Sequence, residues 1–216
     1  LLHRLNEQSS LYLSGAQGFK AGGVNQNPYL SAGSRFYEPE YNLNFEGGYT
    51  STSNNYRASA NAFYMIRNNQ HVQISSQQDP GDPNSFYYFT ANAGNGYNMG
   101  AEIALTKAIT SNLMLNTSLG MLKTHVDEYL FDSGEESVVM GNREQAMAPN
   151  YNYSIGLKYK HETGLFTKIN YNGRSSYYYS DSHDQTADAY SLCDIDIGYK
   201  KGKTTLTLWG KNVLDT

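Results

Sequence analysis

The residues able to do chemistry in this chain are few and scattered. Asp194-x-Asp196-x-Gly198 has the opening spacing of a calcium loop, yet the remaining ligands, including the closing glutamate, are missing. The same spacing fits a strand that carries its acids on one face. His125, Asp127, Glu128, Glu135 and Glu136 gather potential metal ligands around one long connection, without the close His or Cys spacing of a metal centre. A solvated acidic loop is the expected reading. The five histidines are dispersed, and no serine sits in a nucleophile-elbow context, so a hydrolytic triad at His125 or His183 has no support. No catalytic residue, resident metal or cofactor is expected. The cations Arg57, Lys158, Lys168 and Arg174 could attract an anionic ligand, but their expected role is pairing with Glu46, Glu102, Asp194 and Asp196 across neighbouring strands.

These residues sit on elements with a period of two. Tyr151, Tyr153, Ile155, Leu157 and Tyr159 alternate with Asn152, Ser154, Gly156, Lys158 and Lys160. After His161-Glu162-Thr163-Gly164 the pattern restarts with Leu165, Thr167, Ile169 and Tyr171 against Phe166, Lys168, Asn170 and Asn172. Two such strands with a short link predict a long antiparallel hairpin, each arm of about ten residues, the length a tilted strand needs to cross a bilayer core. The unit recurs at Tyr41 to Tyr49, from Tyr56 through Tyr64 and on to Ile74, at Met99 to Leu105, Leu113 to Met121, Ile195 to Tyr199 and around Leu206 and Leu208. With a strand near residues 9–17, about nine strands are expected.

Composition agrees with a wall that is wet on one side only. The chain of 216 residues has 20 Tyr, 8 Phe and 20 Gly with only 17% charged residues, a balance foreign to disordered chains. A net charge of -4 argues against a nucleic-acid partner, which requires a basic stripe. The lone Cys193 cannot form an internal disulfide. No apolar run approaches the length of a membrane helix, so a membrane span has to be built from strands. The chain opens on Leu1-Leu2-His3-Arg4 without the regions of a signal peptide and stops after Asp215-Thr216, so it reads as an internal stretch of a longer barrel protein.

Connections alternate long and short. Long ones fall near 19–38, 78–85, 125–148 and 179–188, including the strand-breaking Asp79-Pro80-Gly81-Asp82-Pro83, and short ones near 52–55, 109–111, 161–163 and 201–202. Outer-membrane barrels have brief periplasmic turns and extended extracellular loops. The expected class is therefore all-β, an antiparallel up-and-down transmembrane barrel represented by an incomplete wall, in the bacterial outer membrane with lipid as its neighbour. Passive porins or adhesins, outer-membrane phospholipase or protease barrels and soluble β modules are the alternatives.

Several segments then resemble the TonB-dependent outer-membrane receptors. Gly18-Phe19-Lys20-Ala21-Gly22-Gly23-Val24-Asn25 is similar to their aromatic-Lys-x-Gly-Gly-x-Asn segment. Tyr37-Glu38-Pro39-Glu40 followed by Asn44-x-Glu46-x-Gly48 resembles their next strand, and Asn61-Ala62-Phe63-Tyr64 the one after it. Asn92-Ala93-Gly94 with Gly100-Ala101-Glu102, then Gly141-Asn142 with Pro149, and finally Trp209 to Asp215 continue the order across nearly the whole chain. The resemblance is strongest to the ferric-siderophore group of yersiniabactin type. It implies a 22-stranded barrel filled by an N-terminal plug, energy delivered through the TonB-ExbB-ExbD complex, and a ferric siderophore or similar scarce ligand as cargo. By this resemblance residues 1–216 are expected to be the C-terminal portion of such a barrel, without the plug, TonB box, earlier strands or final aromatic-ended strand, and one usual proline before Pro149 appears as Ala146 or Met147. Aromatic and cationic side chains near the outer rim are expected to pack as an interfacial girdle, and those turned to the vestibule, Tyr29, Arg35, Phe36, Arg143, Tyr177 and Tyr178, to contact ligand.

Overall fold

The computed structural model describes residues 1–28, 30–77, 79, 81, 82, 84–132 and 137–215, with backbone alone at 131, 132, 137 and 138. Tyr29, Pro80, Pro83, Glu135, Glu136 and Thr216, which the sequence reading invoked, lie outside the described residues. Ten strands form one antiparallel sheet in which each strand lies beside the next of the series. They are β1 (Leu2–Arg4), β2 (Ser9–Lys20), β5 (Glu40–Ser53), β6 (Tyr56–Asn68), β9 (Gly96–Ala108), β10 (Leu113–Val126), β13 (Tyr151–Lys160), β14 (Leu165–Arg174), β17 (Tyr190–Lys201) and β18 (Thr204–Gly210). The strand unseen in the sequence is β1. Its three residues are too short to show an alternation, and it is placed by pairing Leu2 with Tyr12 and Arg4 with Ser10.

Register keeps every side chain on the face its parity dictates. Tyr49, Ala60, Ile103 and Leu119 lie in one row, and so do Ser14, Glu46, Phe63 and Gly100 on the other face. The first face is predominantly apolar and uncovered: Leu13, Leu206 and Leu208 are 63%, 75% and 78% exposed. The second is polar, built from Asn, Ser, Thr, Gly and the carboxylates. Aromatic rings on it lie over glycines of the adjacent strand, so that a Cβ at Gly48 would strike the Tyr12 ring and one at Gly198 the Phe166 ring. Glycine at these positions is a matter of room for the neighbour's ring. Bare strand glycine weakens a sheet, and a ring laid over it restores the missing contact.

The short connections turn tightly at 5–8, 54–55, 109–112, 161–164 and 202–203. Gly164 has φ +98, and a Cβ there would meet the Lys200 carbonyl. The long connections carry small hairpins of their own, β3 (Gly23–Val24) with β4 (Phe36–Tyr37), β7 (His71–Gln77) with β8 (Phe86–Asn92), β11 (Tyr129–Asp132) with β12 (Ser137–Met140), and β15 (Tyr177–Tyr178) with β16 (Thr186–Ala187). The expectation that His71 to Ile74 prolongs the preceding wall strand is corrected here. Asn69 adopts φ +53, a left-handed conformation that asparagine tolerates, and it ends β6. Gln70 then pairs with Ala93 and Gly94, so that β7 leaves the sheet and matches β8 from His71↔Asn92 to Gln77↔Phe86.

The buried apolar cluster lies at the long-loop end. It comprises Leu30, Val72, Ile74, Phe89, Ala93, Val126 and Tyr129, with Tyr87, Ala91 and Met140 packed against it. Ile74 is fully buried at 0% exposure. Truncating Ile74→Ala is expected to cost about 2–5 kcal/mol. Because that core belongs to the head, hydrogen exchange should speed up at amides of β7, β8 and β11 while those of β9 and β10 keep their protection; an equal change in the wall would disprove the separation.

Candidate ligand-binding head

Four long connections meet at one end of the sheet, and a buried polar network forms the floor beneath them. Glu40, 2% exposed, accepts from Arg67 Nε at 2.8 Å and from the His71 amide at 2.9 Å, while Arg67 Nη2 lies 2.6 Å from its Oε1. Arg67 Nη1 donates to Gln145 Oε1 at 2.8 Å, and Gln145 Nε2 donates to Asn98 Oδ1 at 2.6 Å. The Gln145 amide is held by Thr124 Oγ1 at 2.9 Å. The network ties β5, β6, β9, β10 and the third long connection together. A buried carboxylate is costly unless compensated by charge and hydrogen bonds, and Glu40 has both. Lys20 adds an ion pair at 3.4 Å, but its 62% exposure makes that contribution small.

Above this floor the connections hold each other. Asn25 Nδ2 donates to the Ser34 and Thr90 carbonyls at 2.9 and 2.8 Å, and its Oδ1 accepts from the Thr90 amide, fixing the first connection to β8. The free edge of β7 is capped by the fourth connection: the Gln73 amide donates to Asp181 Oδ2 at 3.0 Å and the Ser75 amide to Ser182 Oγ at 2.7 Å. Tyr129 donates its hydroxyl to the Asp181 carbonyl at 2.6 Å. Burial, with Asp181 nearby, raises the pKa of that phenol well above its ordinary value, so it remains a donor.

Among the residues expected at the rim, Arg143 has a framework place. Its side chain is 10% exposed, stacks 4.2 Å from the centroid of the Tyr178 ring, and donates through Nη2 to the carbonyls of Ser180 and His183 at 2.9 and 3.2 Å. Asp184 Oδ1 lies 3.1 Å from Nε, but Asp184 is 75% exposed, so the carbonyl bonds dominate the clamp. Arg35 supports its own turn through the carbonyls of Leu30 and Pro28 and is otherwise exposed, as is Phe36 at 70%. Tyr177 and Tyr178 are half-buried. Arg174 lies between the rings of Tyr177 and Tyr190, 4.2 and 4.4 Å from their centroids.

The cross-strand ion pairs expected on the polar face are largely replaced by other contacts. Lys168 does pair with Asp196 at 3.6 Å. Register sets Lys158 opposite Lys168 and Arg57 opposite Thr52 and Thr106, so neither faces an acid directly. Glu46 instead accepts from the Tyr12 hydroxyl, Glu102 from Asn61 Nδ2 at 3.3 Å, and Asp194 from Lys211 at 3.3 Å. Asp194 and Asp196 are thus engaged separately, as strand acids. Among the described residues no group of three or more His, Cys, Asp or Glu could hold a metal ion. Sequence reasoning missed Arg67, Glu40 and Gln145. The usable signal was Glu40 and Arg67 falling on polar-face positions at strand ends next to long connections.

A two-faced meander with tight turns at one end and an interlocked head at the other defines a length of up-and-down β-barrel wall. The chain belongs to the TonB dependent receptor-like, beta-barrel family, matching it over residues 1–213. Its fold is similar to the ferric yersiniabactin uptake receptor FyuA from Yersinia pestis, with a TM-score of 0.78, 16% identity, and coverage of 100% of this chain and 31% of that one. The siderophore receptor PiuA from Acinetobacter baumannii gives a TM-score of 0.78 at 18% identity, covering 100% and 31%. The ferric-catecholate import receptor Fiu from E. coli K12 gives 0.72 at 17%, covering 100% and 30%. The chain spans about a third of the length of these receptors.

Replacing Arg143→Met removes charged donors from two half-buried carbonyls, an effect of up to about 1.5–3 kcal/mol per bond. Brief proteolysis by a nonspecific protease should then cut within residues 180–184 far faster than in the parent, with the wall strands intact. Unchanged cutting would show that the fourth connection is held by other contacts.

Proposed function

We propose that the protein to which this wall belongs is an outer-membrane active-transport receptor, coupled to TonB and dedicated to a scarce ligand, with a ferric siderophore as the favoured cargo. The observation that carries the reading is the family match over residues 1–213 on a wall whose apolar face is uncovered. No helix of the described residues is long and apolar enough to cross a membrane, and strands of 10 to 14 residues such as β13 and β10 have the length to do so. Bilayer hydrocarbon stabilises the exposed leucines, which water would penalise. The tight turns then face the periplasm and the head faces the exterior.

Cargo preference draws support from the neighbours, two of which are described as siderophore receptors and one as a ferric yersiniabactin uptake receptor. Arg35 and Phe36 offer an exposed cation and ring; Tyr177 and Tyr178 add half-buried rings, Arg143 holding Tyr178 in place. Together with Tyr29 these suit an anionic, partly aromatic chelate. Binding and gated passage involve no covalent chemistry in this reading. A plug elsewhere in the protein, pulled through the TonB-ExbB-ExbD complex, would open a path along the polar face.

The test is to express the full-length protein in iron-limited and iron-replete cells, follow it in the outer-membrane fraction, and titrate the purified protein with ferric catecholate, hydroxamate and phenolate siderophores. Induction by iron limitation and saturable binding of one class are expected. In the same titration Phe36→Ala and Tyr177→Ala should each weaken binding by about fivefold or more, corresponding to about 1 kcal/mol for an aromatic contact. Constant abundance and no binding of any ferric chelate would remove iron as the cargo, and full uptake in cells lacking TonB would remove the energy coupling.

A further inference from the structure

Resting on the membrane reading above, we propose that a groove on the apolar face near the head holds the acyl chains of a phosphate-bearing lipid of the outer leaflet, with the phosphate on Lys123. The groove is about 720 Å³ and is lined by Tyr64, Met99, Leu119, Met121, Lys123 and Tyr151, among others. Its origin is visible in the register. Tyr64, Met99 and Lys123 form one row across β6, β9 and β10, and the next row is Ala62, Ala101, Met121 and Tyr151. The hollow is bounded by Tyr64 on one side and Tyr151 on the other, with Met99, Met121 and Leu119 between them.

Lys123 is out of place on this face. Its strand parity puts it beside Met99, among residues that meet hydrocarbon. The other lysines on apolar-face positions of the sheet, Lys107 and Lys201, border the tight turns. Only Lys123 stands toward the head. The nearby carboxylate of Asp127 faces His125 at 3.3 Å, and His125 stacks on Tyr97. Among the described residues the Lys123 side chain makes no ion pair or hydrogen bond, and it is exposed. An ammonium beside hydrocarbon needs an anion at the same depth, and the phosphates of the outer leaflet lie at that interface. The hollow supplies the other half of the complementarity, since an isolated phosphate would leave it empty and a neutral lipid would leave Lys123 unmatched.

The test uses the full-length receptor extracted from outer membranes in mild detergent, with native mass spectrometry counting retained phosphorylated lipid. Variants Lys123→Gln and Met99→Trp, the second filling the groove, are compared with Lys201→Gln at the opposite end; heat-modifiable gel migration confirms that each is folded. Retention should fall about fivefold in Lys123→Gln, the ratio given by about 1 kcal/mol per lysine at a charged membrane surface, fall likewise in Met99→Trp, and stay unchanged in Lys201→Gln. Delipidated receptor should rebind dioctanoyl phosphatidic acid but neither dioctanoylglycerol nor inorganic phosphate. Equal retention in all variants, an equal loss in Lys201→Gln, or equal binding of dioctanoylglycerol would overturn the site while leaving the membrane reading intact. Binding of inorganic phosphate alone would also overturn it. Recovery of the receptor from the soluble fraction would refute the membrane reading and this site together.

Discussion

A sheet one layer thick has no interior, and this constraint governs the rest of the molecule. Backbone donors and acceptors of the inner strands are satisfied sideways, strand to strand, so their hydrogen-bond ladder needs no covering layer. Side chains then have only two destinations, and parity decides between them. One consequence is the uncovered leucine face. Another is that buried apolar packing, normally the centre of a domain, is displaced to the place where chain leaves the sheet and can fold back on itself, around Ile74 and Phe89.

The head solves a different problem from the wall. Its hairpins are short, two to seven residues per strand, and such pairs are marginal alone. They persist because they share partners. Ile74 and Tyr129 come from separate connections yet pack in one cluster, and Arg143 reaches from the third connection to carbonyls of the fourth. Magnitudes rank these ties. The ion pair of Arg143 with exposed Asp184 is screened, whereas charged donors on half-buried carbonyls and the compensated Glu40 carry the larger penalties when broken. The polar floor of Glu40, Arg67 and Gln145 therefore joins wall to head by interactions that water cannot readily replace.

Much of the wall was legible because period-two alternation is a local property. Tyr151 to Tyr159 and Leu165 to Tyr171 show their two faces without reference to any other strand, and all their partners follow by order. The errors have physical causes. Leu2–Arg4 carries too few residues for a pattern, and the continuation of β6 into His71 to Ile74 preserved alternation while a single left-handed Asn69 changed the partner. The head was less legible, since Asp181 capping β7 depends on chain geometry that composition does not encode. Lys158 opposite Lys168 shows the same limit: parity set the face, and only register set the neighbour.

The capping of β7 by Asp181 and Ser182 has a temporal side. Gln73 and Asp181 are separated by 108 positions in the chain, whereas adjacent wall strands meet through turns of a few residues. Contacts between distant positions form late because closure entropy must first be met. Each long connection also has to fold its own hairpin before it can find the others. A nascent wall therefore keeps a bare β7 edge until its fourth long connection is in place. Closure of the head by residues 181 and 182 is then among the last tertiary steps of this stretch of wall, since it waits on the most distant partners.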